Sequence, residues 1–135
     1  MKFYLDTNIW MDFLADRSEG TRLFGAWTLS FLRRCIMRGD TILLSDVVIA
    51  ELGHYYPPST ISQEMAPFRK RMEMLWATTF QWETASRLSK ERKIPIVDAA
   101  HAILAKECKA ILVSRDHHFL NVSDIVEIGK PENLL

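Results

Sequence analysis

The sequence predicts an α/β sandwich built around a mostly parallel sheet. Short apolar runs of strand length alternate with longer stretches of helical period. Several of those runs stop abruptly at polar residues that include an acid, as Leu5 does at Asp6. The 135 residues carry 17 Lys+Arg against 17 Asp+Glu, and 48 % are apolar. That composition suits one compact domain over the whole chain. It excludes intrinsic disorder, which needs low hydrophobicity and high net charge, and a nucleic-acid binder that works through a broad positive field.

Phe3-Tyr4-Leu5 is the first strand, and the chain turns at Asp6-Thr7-Asn8 into a helix whose face is Ile9, Trp10, Phe13 and Leu14. Thr7 or Asn8 is the expected cap, and Ser18-Glu19-Gly20 a loop. Thr21 to Arg38 is the longest helix candidate, with an apolar stripe of Leu23, Phe24, Trp27, Phe31 and Leu32, basic residues at its C-terminal end and Gly39 as its stop. Thr41-Ile42-Leu43-Leu44 is a second buried strand, and Ser45 caps a helix carrying Val47, Val48, Ile49, Glu51 and Leu52. Pro57-Pro58 ends that region. Thr60 to Gln63 has the pattern of a capping box, and Pro67 starts or kinks a helix reaching about Trp76. Ala77 to Phe80 is a short strand candidate and Trp82 to Arg92 an amphipathic helix. Pro95 opens a helix through Asp98 and Lys106, Ala110 to Val113 is a strand, and Ile125 to Ile128 is the last strand candidate. The four tryptophans Trp10, Trp27, Trp76 and Trp82 stand at helical spacing with other apolar residues, which favours core or dimer-interface packing.

The two cysteines, Cys35 and Cys108, are too few for a disulfide framework and suggest reduced thiols in a cytoplasmic protein. Lys2, Asp6 and Asn8 interrupt the start of the chain, so it lacks the apolar core of a signal peptide, and no apolar run is long enough to span a bilayer.

In an open parallel sheet all strand C-termini lie on one edge, where ligands bind. Asp6 follows the first strand, Glu51 lies on the helix after the second, Asp98 is in the first turn of its helix, and Asp116 follows the Ala110–Val113 strand. Each acid by itself has a plain role as a helix cap, turn former or helix-dipole partner. Brought together they repel, and the usual resolution is a hard divalent cation with oxygen ligands, Mg²⁺ or Mn²⁺. Such a site suits phosphodiester hydrolysis, because the cation polarises a phosphoryl oxygen and activates water.

Leu5-Asp6-Thr7-Asn8-Ile9 resembles the opening motif of PIN-domain ribonucleases. Ser45 through Val48 to Glu51-Leu52 resembles their second motif, Ile96-Val97-Asp98-Ala99-Ala100-His101-Ala102-Ile103 the third, and Leu112-Val113-Ser114-Arg115-Asp116-His117-His118-Phe119 the fourth. The order and spacing of the four cover essentially the whole chain. The resemblance implies a three-layer α/β/α sandwich with a parallel sheet of four or five strands. It also implies a catalytic and metal-binding set of Asp6, Glu51, Asp98 and Asp116 holding Mg²⁺ or Mn²⁺, with Thr7, Asn8 and Ser114 orienting acids, water or substrate. Small single-domain members are most often the toxins of VapBC-type toxin–antitoxin pairs. These are endoribonucleases, commonly homodimers, each silenced by a cognate antitoxin. Other members act in RNA maturation, and non-catalytic PIN-like modules typically lack some of the acids.

The chain departs from the family pattern in two places. His117 and His118 stand where many members carry a further acid, so a second metal would be held less firmly or by imidazole. The stretch from His54 to Phe80 follows no family pattern and is expected to shape the substrate groove or the dimer face.

Competing site readings fail on particular residues. Glu51/His54 and Asp98/His101 have the spacing of di-iron ligands, but that fold needs four long helices. A haloacid-dehalogenase phosphatase needs a second aspartate where this chain has Asn8. The basic clusters Arg33/Arg34/Arg38, Arg69/Lys70/Arg71, Lys90/Arg92/Lys93 and Lys106/Lys109 are ordinary solvated helix ends unless one or two of them flank the acidic pocket to hold RNA phosphates.

Overall fold

A computed structural model describes residues 1–135. The strands are β1 (Lys2–Leu5), β2 (Thr41–Ser45), β3 (Met72–Leu75), β4 (Ile111–Val113) and β5 (Ile128–Gly129). They form one sheet in the order β3-β2-β1-β4-β5, and every neighbouring pair is parallel. The helices are α1 (Thr7–Leu14), α2 (Phe24–Arg38), α3 (Asp46–Leu52), α4 (Pro58–Met65), α5 (Thr79–Arg92) and α6 (Ile96–Glu107).

The three inner strands are buried on both faces, which parallel sheets require. Tyr4, Leu5, Ile42, Leu43, Leu112 and Val113 are all inaccessible to solvent. The chain steps from β1 to β2 to β3 in one direction and then returns past both strands to β4. Right-handed crossovers therefore put the α1–α4 segment on one face and α5 and α6 on the other. In agreement, α1 packs on α2, and α5 packs along α6. The reversal of direction at β1/β4 is a switch point, where ligands bind at the C-terminal edge of the sheet. No helix is long and apolar enough to cross a membrane. Cys35 and Cys108 are both free thiols.

Side chains at the strand ends start the next elements. Asp6 Oδ1 accepts the Ile9 N–H at 3.0 Å and opens α1, so the cap is Asp6, where Thr7 or Asn8 was expected. Ser45 Oγ accepts the Val48 N–H at 3.2 Å and opens α3. Gly39, at φ 74°, adopts the left-handed conformation that closes α2.

Several expected elements are corrected. The long helix begins at Phe24, because Glu19 and Arg22 pair in a short antiparallel bridge instead of entering it. The helix expected through Trp76 breaks after α4 into a 3₁₀ helix, Ala66–Arg71, and then into β3. β3 escaped notice because it is an edge strand, where Glu73 and Met74 are exposed and no apolar run is needed. Ala77–Phe80 is not a strand, since Thr78 caps α5 in a capping box with Gln81. The pattern at Thr60–Gln63 forms no box, because α4 already starts at Pro58 behind Pro57. The last strand is only Ile128–Gly129. Trp10 is fully buried and Trp27 and Trp82 are half-buried, but Trp76 is 70 % exposed and lies outside the core.

Arg115, between β4 and Asp116, ties the chain end to the helical layer. Its Nη1 donates to both carboxylate oxygens of Glu132 at 2.7 Å, and its Nε donates to the buried Asp12 at 3.3 Å. Its guanidinium also lies 4.4 Å from the Phe24 ring centroid. Burial would raise the Glu132 carboxyl, but the Arg115 hydrogen bonds outweigh it and the net shift is downward. Lysine cannot reproduce this planar fork. Arg115→Lys is expected to lower unfolding stability by about 3 kcal/mol, the order for breaking a largely buried ion pair. Urea denaturation checks this, and a midpoint equal to the wild type's would show that the fork does not hold the C-terminal segment.

Candidate active site

β1 and β4 are neighbours, so their C-terminal residues meet. Ser114 Oγ donates to Asp6 Oδ2 at 2.5 Å and accepts the Asp116 N–H at 2.9 Å. One hydroxyl thus spans two of the sequence-predicted acids. Asp6 is only 3 % exposed. Its carboxyl is pushed up to about 6, chiefly by burial and in small part by Asp116. Hydrogen bonds from Ser114 and the Ile9 amide, and the nearby His101, oppose the rise.

Glu51, on α3, is held from two sides. Thr7 Oγ1 donates to its Oε1, and His101 Nε2 lies 2.8 Å from the same oxygen. Burial would raise this carboxyl, but those hydrogen bonds bring it below the ordinary range. A carboxylate below that range only accepts, so His101 carries its proton on Nε2. His101 Nδ1 is 2.7 Å from the Tyr4 hydroxyl, which is 2.7 Å from Ser45 Oγ. With Nε2–H facing Glu51, Nδ1 faces the Tyr4 hydroxyl, and Tyr4 in turn pairs with the Ser45 hydroxyl. Every member of this buried chain, from the Val48 amide to Glu51, then has a partner. Burial raises the Tyr4 hydroxyl far above its usual range, so it remains a donor.

Asp98, in the first turn of α6, is raised by burial first and by Asp116 second, and His118 opposes the shift. His118 Nδ1 lies 3.2 Å from Asp98 Oδ2 and 3.3 Å from Asp116 Oδ1.

Asp6, Thr7, Asn8, Glu51 and Asp98 line one polar pocket of about 450 Å³, together with Arg17, His54, Tyr55 and His101. Asp116 and Ser114 line the adjacent cleft. They join the pocket through the Ser114 hydroxyl and the His118 ring. The di-iron alternative has no support, because His101 points away from any Asp98 partnership and into the Tyr4–Glu51 chain. None of the four basic clusters lines the pocket, where the guanidinium is that of Arg17. Arg69, Arg71 and Arg92 are instead engaged with Ser62, with the Gly39 and Asp40 carbonyls, and with Asp124.

Sequence reasoning missed Tyr4, His101 and Arg17 as site residues and singled out His118 only as an imidazole for a second metal. For Tyr4 a signal existed: a hydroxyl in the middle of a core strand must find a buried partner. Arg17, in a loop after α1, offered none.

The PIN domain family model matches residues 3–125, and the chain belongs to that family. Solved structures with the same fold include VapBC2 from Rickettsia felis bound to a DNA fragment from its promoter. It has a TM-score of 0.71 and 18 % identity over 96 % of this chain and 98 % of that one. Another is a toxin–antitoxin complex from Klebsiella pneumoniae, with a TM-score of 0.63 and 16 % identity over 95 % and 96 % of the two chains. VapBC-1 from nontypeable Haemophilus influenzae gives 0.65 and 17 % over 97 % and 98 %. No curated protein sequence matches the chain.

Burial and mutual repulsion raise Asp98, so the folded state binds its proton more tightly than the unfolded state does. Stability is therefore lost as pH climbs from the ordinary carboxylate range toward neutrality. In chelator at pH 8, Asp98→Asn is expected to melt a few degrees above the wild type, with the gap closing near pH 4. Scanning calorimetry at the two pH values checks this. A lower melting temperature at pH 8 would mean that Asp98 is a structural anchor.

Proposed function

We propose that this chain is a metal-dependent endoribonuclease that hydrolyses RNA phosphodiester bonds and serves as the toxin of a toxin–antitoxin pair. The observation that carries this is the convergence of Asp6, Glu51 and Asp98 in one pocket at the switch point, with Asp116 coupled to it through Ser114 and His118.

The donor set fits a divalent cation. It offers hard carboxylate oxygens, and the burial that lifts Asp6 to about 6 is the strain a bound cation relieves. Asp6 and Asp98 would hold the principal Mg²⁺ or Mn²⁺, with Glu51 and Asp116 completing the site or orienting water. When bound, the cation supplies Lewis acidity toward the phosphoryl oxygen and the attacking water.

The chain's own residues provide the rest. Thr7 and His101 fix Glu51 through Oε1, which leaves Oε2 to orient water in the pocket. Ser114 holds Asp6 and the Asp116 backbone in one arrangement. Arg17 and Asn8 line the wall on which a phosphate would rest.

The toxin–antitoxin complexes among the structural neighbours support a cognate antitoxin as partner. A homodimer working in the cytoplasm is part of the same proposal. Exposed Tyr55, Trp76 and Phe80, all within the stretch without a family pattern, offer it apolar surface.

Incubating RNA with the protein in Mg²⁺, Mn²⁺ or EDTA tests the proposal. Cleavage is expected with either metal, none with EDTA, and a loss of roughly a hundredfold or more for Asp6→Asn, since the amide lacks the charge that holds the cation. Protons compete with the cation at Asp6, so activity is expected to fall by up to about tenfold per pH unit below about 6. Full metal-dependent cleavage by Asp6→Asn would refute the assignment.

A further inference from the structure

The function proposed above uses His118 only to couple Asp116 to the pocket. Its ring is two-fifths exposed, yet Nδ1 faces two acids at once, Asp98 Oδ2 at 3.2 Å and Asp116 Oδ1 at 3.3 Å. The backbone holds this geometry. The His118 N–H donates to Asp116 Oδ1 at 2.9 Å in the first turn of the 3₁₀ helix His117–Val122, so ring and carboxylate belong to one tight turn. His117 adds a second imidazole, with its Nδ1 3.8 Å from Asp116 Oδ1 and its ring centroid 4.7 Å from that of His118.

A ring nitrogen has a single N–H or lone-pair direction, so one straight hydrogen bond accounts for one of the two contacts and not for both. The pair of distances matches another arrangement. Neighbouring ligands of an octahedral ion with bonds of about 2.1 Å stand about 3.0 Å apart. The two nitrogen–oxygen separations lie within a few tenths of an ångström of that spacing. The three ligand atoms come from two segments: Asp98 from α6, and Asp116 and His118 from the one turn that follows β4.

We propose that His118 Nδ1 is a further ligand of the divalent cation that Asp6 and Asp98 hold and Asp116 helps to enclose, and that this imidazole makes the site prefer Mn²⁺ over Mg²⁺. The inference rests on the proposed metal-dependent function and specifies which cation the pocket takes. Mg²⁺ is bound through oxygen and keeps its waters, whereas imidazole nitrogen suits first-row transition ions. In the metal-free protein the hydrogen on Nδ1 faces the carboxylates. On metal binding the ring is neutral, Nδ1 gives its lone pair to the cation and the remaining ring hydrogen sits on Nε2. A proton is released to solvent wherever the ring was charged beforehand.

The test uses the full chain without RNA. Pulsed EPR of bound Mn²⁺ reads coupling to directly ligated nitrogen, and calorimetry measures Mn²⁺ and Mg²⁺ affinities for the wild type, His118→Ala, His117→Ala and Asp98→Asn. Nitrogen coupling is expected in the wild type and in His117→Ala and absent in His118→Ala, with the preference for Mn²⁺ over Mg²⁺ falling about tenfold or more in His118→Ala. Bound Mn²⁺ that depends on Asp98 but shows no nitrogen coupling overturns the inference and leaves the metal-dependent function standing. So does coupling that survives His118→Ala. No Mn²⁺ bound at millimolar concentration overturns both.

Discussion

The fold is organised around charge that has to be balanced at one edge of a parallel sheet. β1 and β4 run side by side in the same direction, so the acids that follow them arrive at the same place. α3 and α6 then add Glu51 and Asp98. Nothing in the chain neutralises this set fully. Donors meet each acid instead: Ser114 and the Ile9 amide at Asp6, Thr7 and His101 at Glu51, the His118 ring at Asp98, and the His118 amide at Asp116. The donors outweigh burial at Glu51 and fall short at Asp6 and Asp98, where the carboxyls stay raised. The site is therefore asymmetric. One carboxyl is held below the ordinary range and two are held above it.

The buried chain from Ser45 through Tyr4 and His101 to Glu51 makes this asymmetry durable. It crosses β2, β1 and α6 before reaching α3, so the orientation of one carboxylate is tied to the packing of the sheet. Low local dielectric strengthens each hydrogen bond in it, and leaving any member unpaired would be costly. Arg115 does the corresponding work on the other side, linking the residue before Asp116 to α1 and to the chain end.

Much of this was legible in the sequence because it depended on local pattern. The three inner strands are apolar runs buried on both faces, and the acids at their ends mark the edge where they converge. The parts that escaped notice depend on tertiary context. β3 is an edge strand whose exposed Glu73 and Met74 give no alternation, and β5 has only two residues. Asp98 and His101 are one helical turn apart, which says nothing of their facing different partners: His101 turns into the core toward Tyr4, and Asp98 turns toward His118. Arg17 reaches the pocket from a loop, and no periodicity places a loop side chain.

The equal numbers of acidic and basic residues thus conceal a separation of charge: a negative pocket at the strand ends, and basic residues largely on distant helix ends and turns. A bound cation would turn that pocket into a place where a phosphate backbone can settle. The most direct measurement is anomalous X-ray scattering from crystals grown with Mn²⁺. The account predicts a peak within about 2.2 Å of carboxylate oxygens of Asp6 and Asp98, absent from crystals grown in EDTA. A protein saturated with Mn²⁺ elsewhere on its surface, with no density between these acids, would contradict it.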